Sequence, residues 1–294
     1  MRPLPLGASE LANDAPFARL TESRLPCSSD GRAAMDERAK LLLLGDVAGA
    51  VFGTEDFSLF LYSLVRMQAP VAIVELGTGL GASAFWMALA AKQNGVGHVW
   101  TVDDLNQFER YDGLLGKTIA HLRGIGFGPL EATTPGQYFD EVSNLLGLRS
   151  QISFVKEKIE LEERLHFDRY PFANERIDLL FSDFKHGPDD VLSILGHFLP
   201  RMSAASSIFI DSAPTAWPSY LLLEQVVSHL NGGHIPAALQ DRTAIDLGPV
   251  MRNRRIVLVH VTEKDRKRAQ NSTAWLKIEP IDVVPQPRAS MRGV

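Results

Sequence analysis

The sequence predicts an α/β fold with a doubly wound, seven-stranded, mostly parallel sheet and an N-terminal helical extension. Short apolar runs that end in acidic residues alternate along the chain with helical patterns, as strands and helices do in parallel sheets. One of these runs leads directly into a glycine-rich turn and an alanine-rich helix, which is typical of a nucleotide-binding sheet. The extension is predicted from apolar stripes at helical spacing between Ala33 and Met67.

The glycine-rich turn lies in VAIVELGTGLGAS, residues Val71–Ser83. The apolar run before it has the composition of a strand buried on both faces, and Glu75 interrupts that run where the strand should end. Gly77, Gly79 and Gly81 remove Cβ atoms where the chain must turn and where a ligand approaches the backbone. The helix that follows would point its N-terminal amides at the ligand.

Two cofactor classes use such a loop. Gly77, Gly79 and Ala82 satisfy the looser dinucleotide pattern G-x-G-x-x-G/A, so a nicotinamide or flavin site stays open. Glu75 favours the other class, because a carboxylate there would crowd a pyrophosphate but can receive an ammonium group, directly or through water. The E-x-G-x-G-x-G pattern resembles the first motif of the class I S-adenosylmethionine-dependent methyltransferases, whose cofactor carries an ammonium group and a sulfonium but no phosphate.

This resemblance implies a Rossmann-like domain with S-adenosylmethionine as its cofactor. Ser83 matches a position that contacts the cofactor's carboxylate in the O-methyltransferases. The full set of cofactor-binding residues that the resemblance implies is Glu75, Gly77, Thr78, Gly79, Gly81, Ser83, Asp103, Asp104, Glu157 and Asp183.

Acidic residues also follow the second and third predicted strands. Asp103 and Asp104 come directly after Gly97–Val102, about 20 residues past the glycines, where an acid is expected to bind ribose hydroxyls. Asp103 is the better candidate, and the capping of a turn is the alternative. Glu157 follows Ile152–Val155 and is the candidate for the adenine amino group, although a solvated helix start explains the same charge run.

The fourth predicted strand, Ile177–Phe181, is followed by SDFKHGPDDVLSIL. Ligands bind outside the carboxyl ends of the central strands, so Asp183 should face the same crevice as Glu75 and Gly77. The segment resembles the D-G-x-H-x-Y-x-x-V-x-x-D-L stretch of small-molecule O-methyltransferases, with Phe184 in place of its Gly. The resemblance implies Asp183 and His186 as catalytic residues. A histidine suits the work of a general base, and the alternative for His186 is a hydrogen bond at a helix start.

A fifth strand is predicted at Ser206–Ile210, directly before Asp211. Metal-dependent members of the catechol-type group bind Mg²⁺ through an Asp after strand four, an Asp after strand five and an adjacent Asn. Asp183 and Asp211 match two of these ligands, and Ser212 stands where the Asn would be. The sequence therefore leaves two readings open, a Mg²⁺ site and a metal-free pocket.

The composition fits an enzyme that acts on a small molecule. The chain has 294 residues and a net charge of −5, so it has no basic surface of the kind that binds nucleic acid. Cys27 is the only cysteine, which excludes an intrachain disulfide and a multi-cysteine metal site. There is no apolar run of about 18 residues and no signal-peptide pattern. We therefore expect no membrane span and a cytoplasmic location.

Three parts are predicted along the chain: an N-terminal arm and helical cap at 1–66, a catalytic domain at 67–265, and a C-terminal tail or edge strand at 266–294. The catalytic domain carries an insertion at 105–150, whose aromatic residues are expected to build a lid or an acceptor pocket. An ordinary crossover helix with a surface extension is the alternative.

Shorter segments carry further expectations. The apolar stretches near Ile235–Leu239 and Ile256–Val261 are expected to form the last antiparallel strands, and Ala274–Val284 an edge strand or a dimer contact. Gly53–Asp56 is expected near the cofactor carboxylate or the acceptor. A homodimer would use the N-terminal helices.

Three functions compete at this level. The first is a methyltransferase that acts on a small molecule, with an oxygen acceptor in a biosynthetic pathway. The second is a cyclase or aminocarboxypropyl-transfer enzyme on the same fold, which would release methylthioadenosine. The third is a binding protein with a degenerate site, which the intact Glu75, Gly77, Gly79 and Asp103 argue against.

Overall fold

The computed structural model describes residues 36–52, 57–161, 167–262 and 272–281. The predicted arm at 1–32, the segment Gly53–Asp56 and the charge run Glu263–Arg268 lie outside these ranges. The helices are α1 Glu37–Phe52, α2 Phe57–Gln68, α3 Ala82–Asn94, α4 Gln107–Arg110, α5 Leu114–Gly124, α6 Pro135–Leu145, α7 Pro188–Phe198, α8 Trp217–Asn231, α9 Ala237–Gln240 and α10 Leu247–Met251. The strands are β1 Ala72–Leu76, β2 His98–Asp103, β3 Ile152–Lys156, β4 Ile177–Ser182, β5 Met202–Asp211, β6 Arg254–Thr262 and β7 Ser272–Pro280.

The seven strands form one sheet in the order β3-β2-β1-β4-β5-β7-β6. Strands β1 to β5 run parallel, and only β7 is antiparallel to its two neighbours. Every residue of β1 is buried because the strand lies between β2 and β4 and is covered on both faces. The predicted doubly wound, mostly parallel sheet is confirmed.

Two hydrophobic clusters cover the two faces of the sheet. One joins α1, α2, α3, α5 and α6 to the sheet, and the other joins α7 and α8 to its opposite face. The helical extension before β1 is confirmed for α1 and α2, which pack through Leu44, Val47 and Leu61. No helix in the described ranges is long and apolar enough to span a membrane.

The C-terminal strands differ from the prediction in two places. Ile235–Leu239 is not a strand, because Pro236 precedes a short helix of good helix formers, α9. The segment expected at the edge of the sheet, Ala274–Val284, contributes its described part to β7, which lies between β5 and β6. Polar Lys277 and Glu279 alternate with buried residues in this strand, a pattern that edge and interior strands share.

The insertion at 105–150 is helical and packed. It forms α4, α5 and α6, and α6 starts at a capping box made by Thr134 and Gln137. The side chains of Phe127, Tyr138 and Phe139 are almost fully buried in the core. Phe127 and Tyr138 therefore belong to the core, and the expected lid or acceptor pocket of the insertion stays a prediction.

Candidate active site

The turn between β1 and α3 is built on three glycines in the left-handed region. Gly77, Gly79 and Gly81 have φ angles of +92°, +54° and +84°, which glycine adopts without steric cost. A Cβ at Gly77 would lie 2.2 Å from the carbonyl oxygen of Asp183. The backbone amide of Asp183 donates to the carbonyl of Leu76 at 2.9 Å. The turn after β1 and the end of β4 therefore pack directly against each other.

Asp103, the last residue of β2, holds this turn in place. Its Oδ2 accepts hydrogen bonds from the amides of Thr78, at 2.7 Å, and Gly79, at 3.3 Å. Its Oδ1 accepts from the amide of Leu105 at 2.6 Å. Asp104 is turned away and accepts from the amide and side chain of Asn106. Of the two predicted acids, Asp103 is the one that touches the glycine turn.

Glu75 lies beneath the turn and is fully buried. The Ser83 hydroxyl donates to its Oε1 and the Thr101 hydroxyl to its Oε2, both at 2.5 Å. Thr101 also shares a hydrogen bond of 2.6 Å with the hydroxyl of Thr78. Burial raises the pKa of Glu75 to about 8, the negative charge of Asp103 adds to this, and the two hydroxyls oppose it. Thr101 was not predicted from the sequence.

A cavity of about 260 Å³ opens beside the carboxyl ends of β2 and β3. Its lining includes Thr78 and Leu105 on one side and Phe154, Val155 and Lys156 on the other. Phe139 stacks on Phe154 with ring centroids 4.3 Å apart and so forms part of its floor. Glu157, the predicted adenine ligand, is not among the lining residues; its amide donates to the carbonyl of Asp103 at 3.1 Å.

A second, smaller cavity of about 30 Å³ lies on the other side of the glycine turn. Its walls come from α1 and α2, the turn itself, and the ends of β4 and β5. The lining residues are Ala48, Phe57, Ser58, Thr78, Gly79, Leu80, Ala82, Ser83, Phe181, Asp183 and Asp211. Thr78 lines both cavities, so the two spaces lie on either side of this residue.

A further cavity, of about 900 Å³, lies elsewhere. Ser206 and Arg255, near the amino ends of β5 and β6, line it together with Glu279 of β7. It holds none of the predicted site residues. In sheets of this topology ligands bind at the opposite edge, outside the carboxyl ends of the strands, so we place the site at the glycine turn.

Comparison with known proteins gives the family of this region. A family model described as a methyltransferase domain matches residues 74–213. Residues 74–213 form a methyltransferase domain. The family resemblance that the sequence motifs indicate is thereby confirmed. A comparison with curated proteins gives no match.

Solved structures of low sequence identity are similar to most of the chain. The O-methyltransferase TomG from Streptomyces achromogenes, in complex with S-adenosylmethionine, is 16% identical with a TM-score of 0.43; the match covers 81% of this chain and 89% of that one. An O-methyltransferase from Bacillus cereus, in complex with S-adenosylhomocysteine, is 15% identical with a TM-score of 0.43, covering 85% and 94%. These values are too low to transfer a ligand or the role of any residue.

Two acids of the methyltransferase domain, Asp183 and Asp211, face the smaller cavity. Burial raises the pKa of Asp183 well above its usual range, and the charges of Asp211, Glu75 and Asp103 raise it further. Burial also raises the pKa of Asp211, against hydrogen bonds from Ser212 at 2.8 Å and Thr273 at 2.9 Å. Because the two acids lie close together, ionisation of one disfavours ionisation of the other.

The methyltransferase domain places His186 in the loop between β4 and α7. The buried hydroxyl of Ser219 on α8 donates to the His186 carbonyl at 2.6 Å and so fixes the backbone of this loop. The positive charge of protonated His186 lowers the pKa of Asp211, which sets the imidazole near that acid. The His186 side chain is not among those that line the smaller cavity.

The predicted Mg²⁺ site does not fit the donors that the methyltransferase domain offers. No group of three or more His, Cys, Asp or Glu side chains is placed to hold a metal ion within the ranges that the structure describes. Both carboxylate oxygens of Asp211 already accept hydrogen bonds from hydroxyls. Ser212, at the third ligand position, directs its hydroxyl to Asp211 instead of offering an amide oxygen.

Two residues that bond to the acids of the site were missed from the sequence, Thr101 and Thr273. Thr101 is the one polar residue within the apolar run of β2 and lies two positions before Asp103, on the same face of the strand. That position was a usable signal. Thr273 comes from β7, 62 residues after Asp211, and no local pattern could have paired the two.

Proposed function

We propose that the protein transfers the methyl group of S-adenosylmethionine to an oxygen atom of a small-molecule acceptor. The observation that carries this proposal is the pair of cavities that lie on either side of Thr78 in a methyltransferase domain. A ligand that spans them needs a flat ring at one end and a short charged chain at the other. S-adenosylmethionine has this form.

The cavity of about 260 Å³ beside β2 and β3, called the larger cavity from here on, suits the adenine ring. Leu105, Phe154 and Val155 supply apolar surface, which holds a flat heterocycle by dispersion and by removal of water. Asp103 stands between this cavity and the turn, where its carboxylate can accept from ribose hydroxyls while it holds the amides of Thr78 and Gly79. Lys156 lines the cavity where Glu157 was expected to act.

The charges around the smaller cavity suit the methionine end of the cofactor, and its volume of about 30 Å³ means that the walls must open to admit that end. The N-terminus of α3 and Ser83 lie where the α-carboxylate would bind, since free helix amides favour an anion. Asp183 and Asp211 supply negative charge for the ammonium and sulfonium groups. Of the ten predicted cofactor-binding residues, Thr78, Gly79, Ser83 and Asp183 line a cavity, Asp103 holds the glycine turn, and Gly77 and Gly81 belong to that turn.

Methyl transfer needs alignment and the removal of one proton. The acceptor oxygen attacks the methyl carbon, the carbon–sulfur bond breaks, and its electron pair stays on sulfur, which becomes a neutral thioether. The proton of the acceptor hydroxyl passes to a base. Asp183 is our candidate, because its carboxyl faces the cavity and its raised pKa makes it a stronger base than an ordinary aspartate. Alignment of oxygen, carbon and sulfur supplies much of the remaining rate.

The net charge of −5 supports a small neutral or cationic acceptor over nucleic acid. The biosynthetic role, the homodimer and the cytoplasmic location stay predictions.

The first experiment is a titration of the protein with S-adenosylmethionine and S-adenosylhomocysteine by calorimetry, followed by mass spectrometry of an incubation with S-adenosylmethionine alone. We expect binding of both ligands and an intact cofactor at the end of the incubation. Methylated products are then sought by adding pools of small hydroxylated compounds. Release of methylthioadenosine would contradict methyl transfer in favour of the cyclase or aminocarboxypropyl reaction, and no binding of either ligand would refute the cofactor.

A further inference from the structure

We propose that Glu75 works as a neutral carboxylic acid that donates to the Ser83 hydroxyl, so that Ser83 in turn donates its own proton to a carboxylate bound in the smaller cavity. This inference rests on the proposed function, since the carboxylate in question is that of the cofactor. It assigns Glu75 a task different from receiving the cofactor's ammonium group. It also makes Thr101 a positioning residue.

The geometry separates Glu75 from any ligand. The side chain is fully buried and lines neither cavity. Its two oxygens each meet one hydroxyl, Ser83 at Oε1 and Thr101 at Oε2. Ser83 is the one of these two partners that reaches a cavity wall. Any effect of Glu75 on a ligand in the smaller cavity therefore passes through the hydroxyl of Ser83.

The protonation state of Glu75 decides whether Ser83 can donate a hydrogen bond into the smaller cavity. An ionised Glu75 only accepts, so both hydroxyls must point their protons at it, and Ser83 then offers the cavity nothing but lone pairs. A protonated Glu75 has one proton to donate. When that proton lies on Oε1 and points at the Ser83 oxygen, the Ser83 proton is free to turn towards the cavity.

Thr101 decides which oxygen carries the proton. Its hydroxyl lies between Glu75 Oε2 and the hydroxyl of Thr78, at 2.5 and 2.6 Å. A donor chain from Thr78 to Thr101 to Oε2 satisfies all three groups and leaves Oε2 as an acceptor. Thr101 is fully buried and Thr78 nearly so, which favours this complete arrangement over one with an unpaired hydroxyl. Oε1 of Glu75 then carries the carboxyl proton.

Charge supports the same state. Asp103 at the end of β2 is the charged group that acts on Glu75, and its negative charge opposes the ionisation of Glu75. Asp183 at the end of β4 has a pKa well above its usual range, raised in part by the charge of Glu75 itself. From α3, Glu75 meets the neutral Ser83. A ligand carboxylate that shares Ser83 with an ionised Glu75 would add a further repulsion. A neutral Glu75 removes it and leaves the helix N-terminus free to bind the anion.

The first test follows the Glu75 carboxyl in the ligand-free protein, by infrared difference spectroscopy with the Glu75→Gln variant as the blank. We expect the carboxyl to be protonated at neutral pH and to ionise near pH 8. Thr101→Val should raise that pKa, because it removes a donor to the ionised form, and Thr101→Ser should restore it. An ionised Glu75 at pH 6, or a Thr101→Val variant with an unshifted carboxyl signal, would overturn the proposal whatever the protein binds.

The second test measures the Kd of S-adenosylhomocysteine against pH by calorimetry in native protein and Glu75→Gln. A glutamine, like the neutral acid, places a donor group on one side of the carbonyl carbon and an acceptor oxygen on the other, and it cannot ionise. The ratio of native to variant Kd should therefore rise about tenfold from about pH 7 to 9, as Glu75 loses its proton. The ratio cancels the titration of the ligand's own amino group, which falls in the same range.

Ser206→Ala is the control, because it also removes a serine hydroxyl that donates a hydrogen bond, here to the Ser203 carbonyl within β5, and Ser206 does not line the smaller cavity. It should keep the native pH dependence, whereas Ser83→Ala should lose it. If both proteins bind S-adenosylhomocysteine but the ratio of their Kd values does not change with pH, the proposed role of Glu75 is refuted and the proposed function is not. Failure of native protein to bind at any pH overturns the proposed function, and the infrared result then stands apart from it.

Discussion

The carbonyl oxygen of Asp183 occupies the space that a Cβ at Gly77 would need, with a separation of 2.2 Å. This contact joins the end of β4 to the turn after β1, and with it joins the candidate base to the cofactor loop. The requirement for glycine here has two parts, a φ of +92° and the close approach of a backbone carbonyl. A carbonyl cannot turn away as the end of a flexible side chain can.

Gly77→Ala should therefore destabilise the protein and weaken cofactor binding together. We expect a loss of unfolding free energy of about 2–4 kcal/mol, from strain at positive φ and from displacement of the Asp183 backbone. Gly95→Ala is the control, because Gly95 also has a positive φ, +69°, but no atom within 4 Å of its Cβ position. Denaturant unfolding and calorimetry measure both effects. An equal cost in the two variants would show that the contact with Asp183 adds nothing.

Asp103→Ala should remove the acceptor for three backbone amides and the proposed ribose ligand. A hydrogen bond to a charged group contributes about 1.5–3 kcal/mol, so we expect a loss of that order in stability and a rise in the Kd of S-adenosylhomocysteine of at least about tenfold. Asp104→Ala, whose carboxylate bonds to Asn106 instead of the turn, should change the Kd less. A larger effect at Asp104 would reverse the assignment of the ribose ligand.

Asp183→Asn should lower kcat by about 10²–10⁴, the usual contribution of a positioned base, with a smaller change in the Kd of the cofactor. The pKa of Asp183 lies well above its usual range, so the native rate should rise with pH until that acid is ionised, and the variant should lose this rise. Rate profiles against pH test this once an acceptor is known.

His186→Asn separates the two predicted catalytic residues. Its side chain does not line the smaller cavity, so we expect a smaller loss of kcat than in Asp183→Asn. Abolition of the pH-dependent rise by His186→Asn, with the rise kept in Asp183→Asn, would make the histidine the base.

Glu75 should make the protein less stable as the pH rises from about 4.5 to 8. Its pKa is 4.5 in the unfolded chain and about 8 in the folded one, so within this range the unfolded chain releases a proton that the folded protein keeps. The stabilisation is complete below the lower value and lost by the higher one, and its size is at most about 5 kcal/mol.

Glu75→Gln has no proton to lose at this position. Its unfolding free energy, measured in urea at several pH values, should decline less between pH 5 and 8 than that of the native protein. Asp183 and Asp211 also have raised pKa values, so part of the decline should remain in both. Parallel curves for the two proteins would contradict an abnormal Glu75.

Local patterns predicted most of the parallel half of the fold. Each of the strands β1 to β5 contains a short apolar run, and the acids near their ends mark the edge of the sheet where the site lies. Asp103 and Asp183 could be chosen in advance because parallel strands bring their carboxyl ends to one edge. The family resemblance then supplied the function of that edge.

The remainder depends on contacts that no local pattern carries. The position of β7 inside the sheet could not be predicted, because the alternation of polar Lys277 and Glu279 with apolar residues does not tell which strands lie on either side. Phe127 and Tyr138 could serve a pocket or a core equally well by sequence, and packing decided for the core. The hydroxyl of Thr101 became important only when β1 and β2 paired side by side.

The hydrogen bond between Thr273 and Asp211 sets an order of events during synthesis. A nascent chain that has left the ribosome only as far as β5 already holds the glycine turn, Asp103 and Asp183. It still lacks β7, and with it the hydroxyl that restrains Asp211 and the partner strand for β5. Every residue that lines the larger cavity precedes β4 in the chain, whereas the environment of the smaller cavity is complete only after β7 has been synthesised.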